Sequence, residues 1–293
     1  MFSRSNKGIK QQQEFVEITQ SSSIIAASYL KNNNNNLERA IQQYFENTKK
    51  SQSQDNTKYD PKLIKLYESY QDSENNQLIS IEGTIQYLED LHIEPEDLES
   101  LTLAYLLNST KIGEFEKPKF LKFWTSYKIN DLKKMSKFIK DIHHKLITDD
   151  TVEIKSTDSD GASTASFKNV YEYTFSGLLE VANQNKIDYV LCTEYWKLLI
   201  PILINRELKQ EGQDSTIDER ESLIYTRLNQ WYEFLDIEYK QHVSHDKWTM
   251  FYLFVKDIII TDPSTLKDYD EMAAWPSVFD EYVNYLRENE LLQ

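Results

Sequence analysis

Cysteine is nearly absent from this sequence. The 293 residues include one cysteine, Cys192, which cannot form a disulfide within the chain or build a thiolate zinc cluster. The surrounding residues 189–196 are mostly apolar or bulky, and no cationic side chain adjoins the thiol. Because a reactive thiolate needs a nearby positive charge, we expect a buried structural thiol rather than a nucleophile.

Glycine and proline are also scarce, with six residues of each. An all-β chain needs these residues in its tight turns, so their scarcity favours long helices with few breakers. Hydrophobic residues make up 40% of the chain and aromatic residues 13%, which is enough for a sizeable core. The predicted fold class is all-α.

Long apolar runs and an excess of positive charge are both missing. Apolar stretches such as residues 198–204 are far shorter than the ~20 residues that span a bilayer, and residues 1–10 lack the apolar core of a signal peptide. The formal net charge of −15 disfavours nucleic-acid binding, which needs clustered Lys and Arg. We therefore expect no membrane and no nucleic-acid partner, and a location in the cytoplasm and/or the nucleus. The acidic balance suits basic protein partners or serves solubility alone.

The sequence contains no recognisable catalytic motif. None of the five histidines has a metal-binding spacing such as H-E-x-x-H. His143 and His144 are adjacent and cannot share one helix face, and His242 and His245 lie in a polar stretch where solvated side chains are a better interpretation than a weak metal site. No glycine-rich phosphate loop is present either. The sequence thus predicts no catalytic residue, no metal site and no cofactor, and a protein that acts by binding.

Residues 72–83 imitate an EF-hand calcium loop between two helical segments. Asp72 and the side chains at loop positions 3 and 5 suit a calcium ion, but Gln77 stands where the loop needs Gly, and Gly83 stands where calcium needs a bidentate Glu. We therefore expect an EF-hand-like helix–loop–helix unit that lacks calcium.

The N-terminal residues 9–46 predict a bundle of three short helices. The third helix has the apolar spacing of an amphipathic helix over residues 37–45. This segment resembles the third helix of ubiquitin-associated domains, although residues 19–22 replace the usual Met-Gly-Phe loop of that family. The resemblance implies ubiquitin binding, and a small bundle without a ligand is the alternative.

A linker and a larger helical domain are predicted to follow. Residues 47–60 lack apolar periodicity and predict a flexible linker. Pro61 suits the first turn of a new helix, and residues 61–293 then predict a predominantly helical domain. Two polar insertions, residues 148–168 and 205–222, predict surface loops.

The C-terminal segment carries the most specific motif. Residues 269–271 are Tyr-Asp-Glu and residues 274–276 are Ala-Trp-Pro. From residue 257 to the end, the sequence has nine acidic residues and only two basic ones, Lys267 and Arg287. Helical geometry places Asp280 roughly 130° from the centre of the apolar face of the last helix, so we expect it to point outward. An acidic surface beside a Trp suits a basic, partly apolar partner, and an ordinary solvated helix face is the alternative.

These motifs resemble the hallmark of the defective-in-cullin-neddylation family, in its potentiating-neddylation (PONY) domain, here residues 61–293. Some members also carry an N-terminal ubiquitin-associated domain, so the likeness covers nearly the whole chain. The resemblance implies an all-helical fold with EF-hand-like units. It also implies a cullin-binding Asp–Ala–Asp patch, whose three members match Asp246, Ala274 and Asp280 in residue type.

The resemblance implies a second site, an apolar pocket that takes the acetylated N-terminal Met of the conjugating enzyme. Leu103, Phe115 and Leu198 match pocket positions of the family. The positions where this sequence departs from the expected pocket residues are Thr84, Ser100, Ile112 and Gly177.

The function implied by the resemblance is that of a non-catalytic scaffold. It would promote cullin neddylation by binding the cullin and the charged neddylation conjugating enzyme, next to the RING subunit of the cullin ligase, and so support activation of cullin-RING ubiquitin ligases. The alternative is a ubiquitin-binding adaptor that acts through residues 9–46, with ubiquitin or the cullin modifier as its partner.

Overall fold

The structure, a computed structural model, describes residues 3–19, 23–56, 59–148, 151–155, 162–181, 183–211 and 217–292. Helices dominate these residues, so the predicted all-α class is confirmed. The described residues form thirteen α-helices: α1 Ser3–Thr19, α2 Ser23–Asn32, α3 Leu37–Asn56, α4 Pro61–Glu68, α5 Ile81–Leu91, α6 Leu98–Leu106, α7 Lys117–Tyr127, α8 Leu132–Thr148, α9 Phe167–Gly177, α10 Tyr189–Glu211, α11 Ile217–Phe234, α12 His245–Phe254 and α13 Ser277–Glu288.

Strands are short and occur only as antiparallel pairs in the described residues. The pairs are β1 Leu78–Ile79 with β2 Phe115–Glu116, β3 Val152–Lys155 with β4 Ala162–Ala165, and β5 Lys186–Ile187 with β6 Val243–Ser244. Two helices also continue as π-helical turns, α11 into Leu235–Tyr239 and α12 into Val255–Ile259.

The chain divides into two compact units, Met1–Ile64 and Lys65–Gln293. The first unit contains the predicted three-helix bundle, α1 to α3. Phe15, Ala26, Leu30 and Ala40 form its buried core, and the rings of Phe15 and Tyr44 meet edge-on with centroids 5.7 Å apart. Asn34 and Asn35 have positive φ angles in the turn between α2 and α3, a backbone region that Asn tolerates better than most residues.

Residues 47–56 of the predicted linker are helical, because α3 continues without a break to Asn56. The amphipathic first half of the helix supplies the costly nucleus, and each further residue then adds a backbone hydrogen bond with little loss of entropy. No Gly or Pro interrupts this stretch, and its Lys and Gln residues favour the helix. The absence of apolar periodicity therefore did not mark a break in the helix. The bundle also begins earlier than predicted, since α1 starts at Ser3. Residues 20–22 and 57–58 lie outside the described part.

Helix–loop–helix pairs joined by two-residue strands recur in the second unit. The first helix of the first pair, α4, begins at Pro61, just before the boundary of this unit. There the Asp60 carboxylate accepts a hydrogen bond from the backbone N–H of Lys62 at 2.8 Å. In its loop, Asp72 Oδ1 accepts backbone hydrogen bonds from Glu74 and Asn75 at 2.9 Å and 2.8 Å. This geometry is that of a helix–loop–helix, and its assignment to the EF-hand class stays a prediction.

Gly83 explains why this loop has no acidic residue at its last position. A Cβ atom at residue 83 would lie 2.0 Å from the carbonyl oxygen of Tyr70 and 2.9 Å from a methyl group of Ile79. Because the Tyr70 contact is to backbone, no side chain can be accommodated there without a shift of the chain. A glutamate at this position is thus excluded by the close approach of the turn after α4 to the start of α5.

The polar insertions are more ordered than the predicted surface loops. Within residues 148–168, β3 and β4 form a hairpin, and the backbone N–H of Lys155 donates to the hydroxyl of Tyr127 at 2.7 Å. Within residues 205–222, α10 extends to Glu211 and α11 begins at Ile217. The loop prediction is therefore wrong for these parts, and its remaining residues, 149–150, 156–161 and 212–216, lie outside the described part.

The core of the C-terminal half is aromatic and centres on Trp231 of α11. Its ring stacks on Phe251 of α12 at 4.8 Å and on Phe279 of α13 at 5.4 Å, and it meets Trp196 of α10 at 6.1 Å. Four helices are thus joined through one side chain. Cys192, fully buried on α10, belongs to this interior, and burial raises the pKa of its thiol far above the usual range, so the predicted structural thiol is confirmed.

No helix in the described residues is both long enough and apolar enough to cross a membrane.

Candidate docking surface and apolar cavity

Asp246 lies in the first turn of α12 and is exposed. Ser244 caps this helix, because its hydroxyl accepts a hydrogen bond from the backbone N–H of Lys247 at 3.4 Å. The Lys247 ammonium is turned toward Tyr239, where it donates to the hydroxyl and lies 5.0 Å from the ring centroid. Lys247 is therefore paired with Tyr239, and the described contacts leave the neighbouring Asp246 carboxylate open to solvent.

Asp280 lies in the first turn of α13 and is half-buried. Its Oδ1 accepts a hydrogen bond from the hydroxyl of Tyr269, so the prediction of an outward side chain is only partly met. Burial, together with this hydrogen bond, raises the pKa of Tyr269 well above its usual range. The hydroxyl is hence a permanent donor at neutral pH, and it fixes one oxygen of the carboxylate while the other lone-pair positions remain available.

The segment between these residues is held by local hydrogen bonds. Asp270 accepts from the backbone N–H of Met272 at 2.8 Å through its carboxylate and from Ala273 at 3.1 Å through its carbonyl. Glu271 forms a salt bridge with Arg287 of α13. This loop presents Ala274 as an exposed residue.

Trp275 attaches the loop to the core. Its ring lies 6.0 Å from that of Tyr269 and 5.7 Å from that of Phe279. Ala274 and Asp280 consequently belong to one neighbourhood, which is built around Tyr269 and Trp275. Asp246 is farther away, because α12 contacts α13 through Phe254, and eight helical residues correspond to roughly 12 Å. We call Asp246, Ala274 and Asp280 together the docking surface.

A buried arginine on α11 supports the chain segment that leads to Tyr269. Arg227 is 1% exposed and donates to the carbonyls of Pro263 at 2.6 Å and Ser264 at 3.1 Å. Asp262 stabilises the same turn by accepting from Ser264 and Thr265. These bonds lower the pKa of Asp262 and outweigh the opposing effect of its partial burial. One of the nine C-terminal acids therefore has a structural role within this turn.

Sequence analysis did not assign roles to Tyr269 or Arg227. Tyr269 stood within the C-terminal motif, but its hydrogen bond to Asp280 depends on tertiary structure. For Arg227 a signal existed: it interrupts the apolar spacing of Ile224, Leu228 and Trp231 on α11, all buried. A cation on the apolar face of a helix must find buried acceptors, and here they are backbone carbonyls.

A cavity of about 330 Å³ lies between α6 and α10. Its walls are formed by Pro95, Glu96, Ser100, Leu101, Ile112, Glu194, Tyr195 and Leu198. Ser100 is tied to its own helix start, because its hydroxyl donates to the carbonyls of Pro95 and Asp97, both at 2.7 Å. The apolar part of the wall therefore comes from the aliphatic and aromatic side chains.

Leu198 is the one predicted pocket residue that lines this cavity. Leu103 and Phe115 are 0% and 2% exposed and belong to the core behind it, so the structure does not place them in the wall with Leu198. Two residues that depart from the family pattern, Ser100 and Ile112, do line the cavity.

Gly177 explains how Ile112 reaches this position. The backbone N–H of Ile112 donates to the carbonyl of Gly177 at 2.9 Å, and a Cβ at residue 177 would lie 2.8 Å from the Ile112 side chain. The glycine thus lets the Ile112 loop lie close against the end of α9, and the two departures from the family pattern accommodate each other. Thr84, by contrast, is a buried residue of α5 and is not part of the cavity wall.

No group of three or more His, Cys, Asp or Glu side chains in the described residues is placed to hold a metal ion.

The helical second unit and the separate three-helix bundle correspond to the two domains of a cullin-binding protein. A family model for cullin binding matches residues 134–285, and a model for a UBA-like domain matches residues 11–50. The chain is 40% identical over 295 aligned positions to "Defective in cullin neddylation protein 1" of Candida albicans, an alignment that covers 96% of this chain and 98% of the relative.

More distant relatives carry the same name. The Saccharomyces cerevisiae protein is 29% identical, with 79% of this chain and 74% of the relative covered. The Yarrowia lipolytica protein is 28% identical, with 76% and 77% covered. The chain therefore belongs to the defective-in-cullin-neddylation family, with a cullin-binding domain and an N-terminal UBA-like domain.

Proposed function

We propose that this protein promotes cullin neddylation as a non-catalytic scaffold. It binds the cullin at the docking surface and the charged conjugating enzyme at the apolar cavity, next to the RING subunit of the ligase. The names of the relatives and the cullin-binding match support the neddylation role. The separate positions of the two sites support a scaffold, since the cavity is lined by α6 and α10 and the docking surface by α12 and the start of α13.

The observation that carries the cullin assignment is the position of the docking surface within the matched family region. Residues 134–285 include all three of its members, and two of them, Asp246 and Ala274, are exposed. The carboxylates of Asp246 and Asp280 would pair with Lys or Arg of the cullin, and the small side chain of Ala274 would allow close contact between them.

The cavity supports the assignment of the conjugating enzyme. Its volume of about 330 Å³ is at the lower end of the range for ligand sites, which suits one linear side chain better than a larger group. An N-terminal Met fits this shape, and acetylation removes the ammonium charge that would otherwise have to be desolvated. Leu198 and Ile112 would contact the thioether chain.

The gain in rate would come from proximity. Holding the cullin and the charged enzyme on one scaffold raises their effective concentration and restricts their relative orientation. The thioester of the modifier would then meet the cullin lysine more often, while the RING subunit supplies the catalytic geometry. No reactive group of this chain is required.

The test is reconstituted neddylation at limiting conjugating enzyme, with wild type and with the Asp246→Ala, Ala274→Arg, Asp280→Ala triple variant. Wild type should accelerate the reaction and the triple variant should not, with cullin binding lost in parallel. A matched control removes two exposed carboxylates elsewhere, Asp141 of α8 and Glu153 of β3, and should retain activity. Full binding by the folded triple variant would refute the cullin assignment.

The cavity is tested in the same system with acetylated and unacetylated conjugating enzyme. Leu198→Arg should remove the advantage of the acetylated enzyme without weakening cullin binding. An equal response of both enzyme forms to wild type would refute the acetyl-Met assignment.

A ubiquitin-binding adaptor is the second candidate function. Ile18, Ile25 and Phe45 of the three-helix unit are 54%, 41% and 42% exposed, and exposed apolar side chains suit a protein partner. Titration of the full chain with labelled ubiquitin should show shifts that Phe45→Ala removes. No shifts at high ubiquitin concentration would eliminate this function.

A further inference from the structure

The loop before α13 exposes a continuous apolar surface. Met272 is 93% exposed, whereas the other exposed large hydrophobic residues of the described chain range from 37% to 67%. Ala273 and Ala274 beside it are also exposed, and Trp275 and Pro276 are half-buried. Five consecutive residues thus offer apolar atoms to a partner.

This exposure is presented by a fixed backbone. The Asp270 carboxylate holds the N–H of Met272 at 2.8 Å, and the backbone N–H of Trp275 donates to the carbonyl of Ala273 at 2.8 Å. The salt bridge from Glu271 to Arg287 and the packing of Trp275 on Phe279 fix the two ends. Because the backbone is already fixed, this loop would lose little backbone entropy on binding a partner. This favours a role for Met272 as a contact residue.

Carboxylates flank this apolar surface. Asp270 and Glu271 precede Met272, and Asp280 and Glu281 follow in the first turns of α13. Glu271 is paired with Arg287, so the acidic character of the rim rests on the other three. An apolar centre with a charged rim is the common anatomy of a protein interface, and this one is continuous with the docking surface through Ala274.

We propose that Met272 is the apolar anchor of the cullin contact and inserts into an apolar depression of the cullin that is bordered by Lys or Arg. This rests on the proposed function, which supplies the partner. The unbranched, polarisable side chain of Met adapts well to such a depression. Met272 would then contribute affinity, and Asp246 and Asp280 would contribute orientation and the salt dependence of binding.

The experiment measures the affinity of the full chain for purified cullin by titration calorimetry at several salt concentrations. Met272→Ala should weaken binding about tenfold, as expected for a central interface residue, whereas Met272→Leu should stay within about threefold because it preserves apolar volume. Val181→Ala is the matched control, since Val181 is 67% exposed and lies outside the loop, and it should leave the affinity unchanged.

The salt series separates the anchor from the charges. Met272→Ala should keep the dependence of affinity on salt, whereas Asp280→Ala should reduce it. Melting temperatures of the Met272 and Val181 variants should match wild type, since both side chains are exposed.

Four outcomes would overturn the inference or its basis. Wild-type affinity in Met272→Ala, with wild type binding the cullin, refutes the anchor and leaves the scaffold function standing. A loss in Met272→Leu as large as in Met272→Ala refutes an apolar anchor. Absence of cullin binding by wild type refutes the proposed function itself. Self-association of wild type that Met272→Ala abolishes, with unchanged cullin affinity, would assign the surface to a second copy of the chain.

Discussion

Replacing Tyr269 by Phe tests whether the docking surface is preorganised. The substitution removes one hydroxyl and keeps the ring that packs at 6.0 Å against Trp275 and at 5.7 Å against Phe254. The lost contact is the hydrogen bond to the Asp280 carboxylate. Because Asp280 is half-exposed, water can replace the hydroxyl, so the carboxylate keeps its charge and becomes free to change rotamer.

The magnitude follows from this freedom. Immobilising a side chain on binding costs about 0.5–1.5 kcal/mol of free energy. In the free protein, the hydrogen bond from Tyr269 already immobilises the Asp280 side chain. Without the hydroxyl, Asp280 is immobilised only when the cullin binds, and this free-energy cost weakens binding. The dissociation constant should therefore rise between about twofold and about tenfold. Stability should fall by only about 0.5–1.5 kcal/mol, the net value of one hydrogen bond.

The assay is a double-mutant cycle on cullin affinity with Tyr269→Phe, Asp280→Ala and the combined variant. Since Tyr269 acts through Asp280, its substitution should have no further effect once the carboxylate is gone. Tyr70→Phe is the matched control: its hydroxyl donates to the Asp90 carboxylate at 2.5 Å, far from the docking surface in sequence, and its loss should leave cullin affinity unchanged. Unchanged affinity in Tyr269→Phe, or strictly additive effects in the cycle, would refute the reasoning.

Two further predictions concern the second unit. Gly83→Ala places a Cβ 2.0 Å from the Tyr70 carbonyl oxygen and should lower the free energy of unfolding by about 1–3 kcal/mol or more. Urea denaturation should show a lower midpoint with an unchanged slope. An unchanged midpoint would contradict the close approach. Burial, and then the neighbouring His144, lowers the pKa of His143 below its usual 6.5, so the ring that contacts the Thr102 hydroxyl at 2.8 Å stays neutral while the unfolded chain protonates. Its contribution to stability is therefore complete above about pH 6.5 and decreases as the pH falls toward the folded-state pKa. NMR titration should give a folded pKa below 6.5, and His143→Gln should make unfolding less sensitive to pH in this window; a folded pKa at or above 6.5 would contradict the assignment.

Features that depend on local pattern were predictable from the sequence. The apolar spacing of residues 37–45 gave the third helix of the bundle, and Pro61 marked the start of α4 correctly because proline is already shaped for the first helical turn. The surroundings of Cys192 predicted its burial. These predictions succeeded because each depends on residues that are neighbours in the chain.

Features that depend on competition between local and tertiary energies were not predictable. Residues 47–56 lack an apolar face, and only the helix already formed before them explains why they continue it. The hairpin of residues 152–165 is attached through Tyr127 of α7, a contact across 28 residues. The π-helical turns after α11 and α12 left no signal that the spacing of apolar residues could reveal.

The candidate site shows the same division. Motif resemblance supplied Asp246, Ala274 and Asp280, and two of them are exposed as a docking role requires. The pocket positions of the family were harder to transfer to this sequence, because the shape of a cavity depends on how three or more structural elements pack against one another. Here Gly177 lets Ile112 approach α9, and Leu103 and Phe115 remain in the core.

The position of the Asp280 carboxylate on the docking surface depends on a residue inside the protein. An acidic side chain among other acids tends to adopt many rotamers, because repulsion between the carboxylates favours their separation. A hydrogen-bond donor in the right position restricts these rotamers. Tyr269 is that donor for Asp280, and its position follows from the turn at Pro263 and Ser264, whose carbonyls are held by Arg227. The hydroxyl of Tyr282 on α13 donates to the Arg227 carbonyl at 2.6 Å, which ties the helix of Asp280 to the same point. Both the donor and the acceptor of the surface hydrogen bond are thus positioned from α11, so substitutions at this buried arginine should affect partner recognition as well as stability.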